Sequence, residues 1–350
     1  MNKNAKLWML PVAGSLVFVA AARAQEPAPT LERAYQDSPN HLTVSLRFGL
    51  NISGKFKGIG NSLNPNSVPP AGQYADGYVL TDISGNFGGQ TWYWGYQNPG
   101  QVNAAANSIN FDNYSAPGFP KEESADQSTY IGCEVTYNYE LGVKEDWHHL
   151  AYGMEVAANY MPINFDSRVS YNGPVTQQTD TYGYTSGTTP PGAPYAGSYE
   201  GPGFLINVPR TGTATTVIPD ATLATQQHFD ANLWGFRLGP YFESPVTDKL
   251  DLHASGGFAL GLLDANANWS ETLSLPGSTL ASQGTGKNFK VLCGFYAGVD
   301  AVYHLDKQWS LDIGAQFQDL GKHDYNYGGR TVELDLSKSI FIQAGFSYSF

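Results

Sequence analysis

The sequence is poor in charge. Only 14% of its 350 residues are charged, against roughly a quarter in an ordinary soluble domain. Basic residues are the scarcer kind, 19 against 31 acidic, for a net charge of −12. No run of Lys and Arg appears, and an acidic chain repels a polyanion, so nucleic acid is excluded as a partner. Cysteine is almost missing: two residues cannot supply the disulfide framework of a small loop-rich fold. Beyond residue 24 no apolar run is long enough for a transmembrane helix, which takes about 20 residues. That absence leaves a β-barrel open, because a barrel crosses with segments of about ten residues of alternating hydrophobicity. What is plentiful suits short strands and turns: 22 Tyr, 18 Phe and 7 Trp, with 39 Gly and 21 Pro.

Residues 1–24 read as a secretory signal. Lys3 and Lys6 form a basic start, Leu7 to Ala22 is apolar, and Ala22-Arg23-Ala24 is a small-x-small cleavage site. Removing Lys3, Lys6 and Arg23 takes the basic count from 19 to 16 against 31 acidic residues, a net near −15. Residues 25–41 are expected to be a periplasmic lead-in, and 42–350 the folded body.

Within that body eight segments alternate with period two: 42–52, 128–141, 149–161, 229–243, 249–264, 288–305, 308–319 and 338–350. In the longest, Phe289, Val291, Cys293, Phe295, Ala297, Val299, Ala301, Tyr303 and Leu305 share one face. Side chains alternate sides along a strand, so each segment has an oily and a polar face. A soluble sandwich would also alternate. The faces here are too long for that, since globular strands usually run five or six residues. The polar faces carry Gly, Ser, Asn and charges of both signs, as a filled polar lumen needs. Connections run 75, 7, 67, 5, 23, 2 and 18 residues, so long and short alternate. This is the loop sorting of an outer-membrane barrel, with long extracellular loops, short periplasmic turns and both termini periplasmic. The expected fold is all-β: a transmembrane antiparallel up-and-down barrel of eight strands. Ten would result if a hairpin over 77–97 joined the wall.

The closing segment, Ser339-Ile340-Phe341-Ile342-Gln343-Ala344-Gly345-Phe346-Ser347-Tyr348-Ser349-Phe350, carries alternating aromatics to a terminal Phe. With the tract 234–263 it resembles the small outer-membrane barrel superfamily of OmpA, OmpX and OmpW type. The resemblance covers the eight strands, under half of the chain after the signal. It implies that Tyr348 and Phe350 belong to an assembly signal read by the barrel-assembly machinery, with outer-membrane lipid around the wall. The stretch holding Asp76-Gly77-Tyr78-Val79 and Thr91-Trp92-Tyr93-Trp94-Gly95-Tyr96 is similar to a motif of uncharacterised bacterial barrels and implies no activity.

Function is expected in the long loops 53–127 and 162–228. Trp92, Trp94 and Tyr96 share one side of an extended run. They either stack on an extracellular ligand such as a surface glycan or pack a small core within the loop. The second loop, rich in Thr, Tyr, Gly and Pro, serves adhesion or simple shielding, and its flanks extend the third and fourth strands. Arg47, Glu134, Glu155, Arg237, Asp251, Lys290, Asp300 and Asp312 fall on polar faces. Buried charges must pair, so they are expected to plug the lumen with ion pairs; a small-solute channel is the alternative. A rim hydrolase is a distant third, resting on His323 with Asp319 and Asp324 and on His228 with Asp230. No catalytic, metal or cofactor motif stands out, and no cofactor is expected. Cys133 and Cys293 lie on oily faces of strands on opposite sides, too far apart to bridge, so free thiols are expected.

Overall fold

The computed structural model describes residues 40–65, 72–125, 129–145 and 149–350. The expected signal over 1–24, and all of 25–41 but its last two residues, lie outside the described residues. Eight strands form the wall: β1 Asn40–Leu50, β2 Tyr130–Lys144, β3 Leu150–Gly183, β4 Gly212–Thr247, β5 Leu250–Leu275, β6 Ser278–His304, β7 Trp309–Asp319 and β8 Ser339–Ser349. Each pairs antiparallel with its neighbours in sequence. β1 lies between β2 and β8, with Val44 opposite both Val135 and Phe346, and so closes the ring. The fold is an eight-stranded up-and-down barrel.

A closed ring leaves no unpaired edge, the condition for a sheet in lipid. The outer side carries the expected oily faces: Val44, Leu46, Ile131, Val156, Phe236, Val291, Ile313 and Phe346 are exposed, and Phe258 is 80% exposed. On β4 this band runs from Trp234 to Val246. Twelve residues make about 40 Å of strand and, at a tilt near 40°, about 30 Å of height, which matches a hydrocarbon core. Aromatics mark its two borders. Tyr160 sits 4.6 Å from Trp234 at one end, and Trp309 sits 5.0 Å from Tyr348 at the other. Cys133 and Cys293 are free and exposed on this band.

Four strands do not stop at the border. β3 and β4 are 34 and 36 residues long, far beyond an ordinary membrane strand of about ten. Where they leave the band their amphipathicity inverts while the parity is unchanged. On β4 the outward positions change from Phe236 and Trp234 to Asp230 and His228. The inward positions change from Arg237 to the buried Leu233, Ala231, Phe229 and Leu223. On β5 the outward side passes from Leu260 to Asp264 and Asn268, and the inward side holds Leu263, Ala265, Ala267 and Trp269. In lipid the oily face must point out; in water it must point in. The residue choice inverts because the solvent does.

The expected loops are therefore partly wall. Residues 162–183 and 212–228, the flanks of the second long loop, do extend the third and fourth strands, and further than expected: they are paired from Pro162↔Asn232 to Thr181↔Gly212. Residues 265–287, also read as a loop, are a hairpin of β5 and β6 that pairs to Leu275↔Ser278. The outer parts of both segments lack the oily outward face that marks a lipid-facing strand, which is why their composition reads as loop.

Beyond the lipid band, the long strands carry a head that includes two four-stranded sheets. Ser53–Lys57, Glu122–Ser124, Lys322–Tyr327 and Arg330–Asp335 form a four-stranded cap sheet. Gln73–Tyr74, Gly77–Val79, Trp94–Tyr96 and Tyr195–Ala196 form another. The 77–97 stretch thus adds nothing to the ring. Ser108–Ser115 lines up along the far part of β3, from Thr176↔Ser115 to Gly183↔Ser108.

Candidate functional site

Within the lipid band the lumen holds a connected polar network, with each wall strand supplying members. Arg47 on β1 donates to Glu134 on β2 (Nη1–Oε2 2.7 Å) and to Gln318 on β7 (2.8 Å). Arg237 on β4 grips Glu134 from the other side (2.6 Å) and Glu155 on β3 (2.9 Å). Glu134 thus lies between two guanidiniums. His253 on β5 sits between Glu155 and Glu243, at 3.3 and 3.2 Å, and stacks on Tyr241. Arg47 lies 3.7 Å over the Phe341 ring and Arg237 4.6 Å over Tyr296. Asp300 accepts from Gln343 at 2.5 Å. Gly314 makes room for it: a Cβ there would lie 1.7 Å from Asp300 Oδ1. Asp312 is on the neighbouring strand, two residues from Gly314. Near the short-turn end Asp251 holds His304 at 3.1 Å, which in turn meets Ser310.

Of the eight lumen charges expected from sequence, Arg47, Glu134, Glu155 and Arg237 meet in one cluster. Asp251, Asp300 and Asp312 lie further along the wall. Lys290 does not join them. It sits at the head end, its Nζ 3.3 Å from the Asp324 carbonyl and 5.1 Å over Tyr325. His253 and Glu243 complete the cluster and were passed over. Their parity on β5 and β4, shared with Asp251 and Arg237, was the available signal.

Above the network the barrel is closed by hydrocarbon. Phe56, Val332, Leu334, Leu336 and Tyr325 from the cap region pack on Met161, Ile163, Phe229, Leu233, Leu263, Leu292 and Phe341 of the wall. This mostly apolar layer lies across the head end of the lumen.

The head has a core of its own. Trp94 and Tyr96, two of the three aromatics read either as a ligand-stacking surface or as a small core within the loop, are 0% and 2% exposed and belong to that core with Val79, Ile109, Phe111 and Ile206. Trp94 stacks on Tyr96, meets Tyr195 at 4.7 Å and donates from Nε1 to the Phe204 carbonyl at 2.7 Å. Trp92 is half-buried, with its indole N–H 3.4 Å from the Tyr199 carbonyl. The alternation that aligned the three places Trp94 and Tyr96 inside, because other strands cover that side. Asp180, fully buried, joins the parts of the head: it accepts from Tyr74 (3.0 Å), Arg210 (2.6 Å) and Thr213 (2.7 Å).

Asp76 is an ionisable group under tension in the same region. Burial pushes its carboxyl up to about 7, against the opposing hydrogen bond from the Asp112 N–H at 2.8 Å, and the nearby Asp112 charge adds to the rise. The folded-state value exceeds the unfolded one, so the unfolded chain releases this proton first. Stability then falls as pH rises from about 4 to about 7, by at most about 1.4 kcal/mol per unit. Asp76→Asn keeps an acceptor for Asp112 and removes the charge. It is expected to raise the thermal midpoint of the head at pH 8 and to change it little at pH 4, as read by near-UV circular dichroism. An equal gain at both pH values would contradict this assignment.

The rim histidines are committed elsewhere. His228, outside the lipid band, has Nδ1 2.5 Å from Asp166 and Nε2 on Asp230. Burial alone would lower its pKa, but hydrogen bonds to the two carboxylates raise it. Through these two carboxylates the His228 imidazole ties β3 to β4. His323 meets the Leu320 carbonyl through Nε2 at 2.6 Å, while Asp319 caps the Gly321 N–H and Asp324 lies 3.5 Å from Lys57. Among the described residues no group of three or more His, Cys, Asp or Glu is placed to hold a metal ion.

No family model matches the chain, and no curated protein does. Solved structures do. The outer membrane protein OprG from Pseudomonas aeruginosa is 10% identical, over 91% of this chain and 98% of that one, with a TM-score of 0.33. Neisserial surface protein A is 9% identical, over 89% and 98%, with a TM-score of 0.30. The outer membrane protease OmpT from Escherichia coli is 9% identical, over 91% and 100%, with a TM-score of 0.31. These likenesses are loose, and the class of the fold rests on the closed ring of eight strands and its apolar outer band.

Proposed function

We infer that the chain is an outer-membrane anchor that displays a rigid contact head at the cell surface and conducts nothing. One observation supports this reading: buried ion pairs occupy the lumen below an apolar layer, while the wall continues past the lipid band as a structured head. A pore needs the opposite, a wet lumen and an open mouth. A head with a core of its own presents fixed surface to a partner, which lowers the ordering cost of binding. In this reading the head is extracellular and both termini are periplasmic. The closing strand, with Tyr348 and Phe350, is the segment offered to the barrel-assembly machinery.

Orientation is tested by epitopes on intact cells. A tag inserted at the exposed turn around Gly187 is expected to bind antibody on intact cells. A tag at the turn around Lys307 is expected to bind only after the envelope is permeabilised. The reverse pattern would overturn the reading.

A further inference from the structure

A cavity of about 260 Å³ lies where Ser108–Ser115 and the far part of β3 meet the tip of the β5–β6 hairpin. Asp76, Asp112, Asn98, Asn110, Gln177 and Thr179 are among its lining, and Leu280 is its one aliphatic side chain. Among the described residues no Lys, Arg or His lines it. Two carboxylates thus border one polar cavity with no cation beside them. Asp76 is 5% exposed, and its Oδ1 accepts the Asp112 N–H at 2.8 Å. Asp112 accepts the Thr179 hydroxyl at 2.5 Å. A buried charge without a counter-ion is unfavourable, and burial, with the Asp112 charge, already pushes the Asp76 carboxyl up to about 7. Asparagine would offer the Asp112 N–H the same acceptor without that penalty. A perturbed carboxyl in a cavity, held there against stability, marks a binding position.

The chemistry of the lining selects the ligand. An ionised carboxylate accepts hydrogen bonds and donates none, so the two aspartates call for a cation rich in donors. An anion would be repelled, and a neutral polyol would leave both charges unbalanced. A bare metal ion is a poor fit, because among the described residues no third His, Cys, Asp or Glu is placed to hold one. A primary ammonium brings one positive charge and three donors on a narrow apolar stem, and Leu280 and the Tyr114 ring offer that stem apolar wall. We propose that this cavity binds a primary ammonium group, held by Asp76 and Asp112, on the stem of a free diamine or of a partner protein's lysine side chain. The proposal goes beyond the anchor reading and stands whichever way the head faces.

Isothermal titration of the refolded full chain at pH 8 tests it. The probes are cadaverine for the free amine and Nα-acetyl-lysine methylamide for the protein side chain. Tetramethylammonium and calcium chloride are the cations without N–H donors. Saturable binding of cadaverine or of the lysine amide is expected, about tenfold or more tighter than of tetramethylammonium, and the tighter of the two names the source. Asp76→Asn should weaken it about tenfold or more, the worth of a hydrogen bond to a charged group, in a variant expected to be the more stable at that pH. Asp112→Asn, which keeps an acceptor for Thr179, should also weaken it. Binding by the parent should weaken about tenfold from pH 8 to pH 6, as the Asp76 carboxylate takes up its proton, and the Asp76→Asn variant should lose this dependence. Asp112 and Tyr114 are the other titratable groups lining the cavity, and burial moves the Tyr114 hydroxyl upward, away from this range. Tighter binding of calcium than of either amine, equal binding of tetramethylammonium, or binding indifferent to Asp76→Asn would each overturn the proposal. So would the absence of binding by the folded chain, which would leave the anchor reading standing.

Discussion

Glu134→Ala is expected to lower the unfolding free energy of the barrel by about 3–5 kcal/mol, the usual cost of stranding buried charge. Glu134 is the shared anion of Arg47 and Arg237, and all three side chains are at most 2% exposed. Its loss leaves one guanidinium with Gln318 alone and the other with Glu155 alone. Urea unfolding in lipid vesicles reads the change. A companion variant separates charge imbalance from lost packing. Arg47→Met, Glu134→Leu, Arg237→Met and Glu155→Gln together remove two positive and two negative charges, and His253 keeps Glu243. This fourfold variant is expected to be closer to the parent than Glu134→Ala alone, because apolar replacement of a whole buried set is often nearly neutral. A single variant as stable as the parent would show that the network is hydrated and open to solvent, and the filled-lumen account would fall with it.

Trp94→Ala is expected to unfold the head and spare the barrel. Truncating a fully buried Trp costs about 3–5 kcal/mol, and here it also orphans the Phe204 carbonyl and removes the partner of Tyr96 and Tyr195. Limited proteolysis should then cut within 73–124 and 184–211, where the parent resists, while β-sheet content in the membrane band persists. Trp92→Ala, at a half-buried position, should change little. Equal protease resistance of the two variants would contradict the role of Trp94 in the core of the head and favour a surface role.

The contrast between Trp94 and the lumen charges shows what the sequence discloses. Period two is a property of one strand and needs no knowledge of its neighbours. It therefore located all eight wall strands and placed Arg47, Glu134, Glu155 and Arg237 on inward faces. Which inward residues meet depends on the register between strands. Val135 opposite Ala158 and Ala157 opposite Arg237 are facts about pairs, and one strand's pattern does not contain them. The inward side of His253 is legible from the face it shares with Asp251; its meeting with Glu155 and Glu243 is not. The head was least legible. There the strands carry Thr, Gln and Asn outward toward water, as in 172–181 and 213–226, so composition reads as loop. Trp94 alternates as a surface residue would, and its burial is decided by segments a hundred residues away, such as Tyr195 and Phe204.

The central claim is that this barrel is closed, and single-channel recording of the refolded full chain in a planar bilayer tests it directly. The account predicts silence at all voltages, because the ion-pair network fills the lumen and the apolar layer around Leu292, Leu233 and Phe341 leaves no wet path. Steady, ion-selective steps from the unaltered chain would contradict it and make the protein a channel.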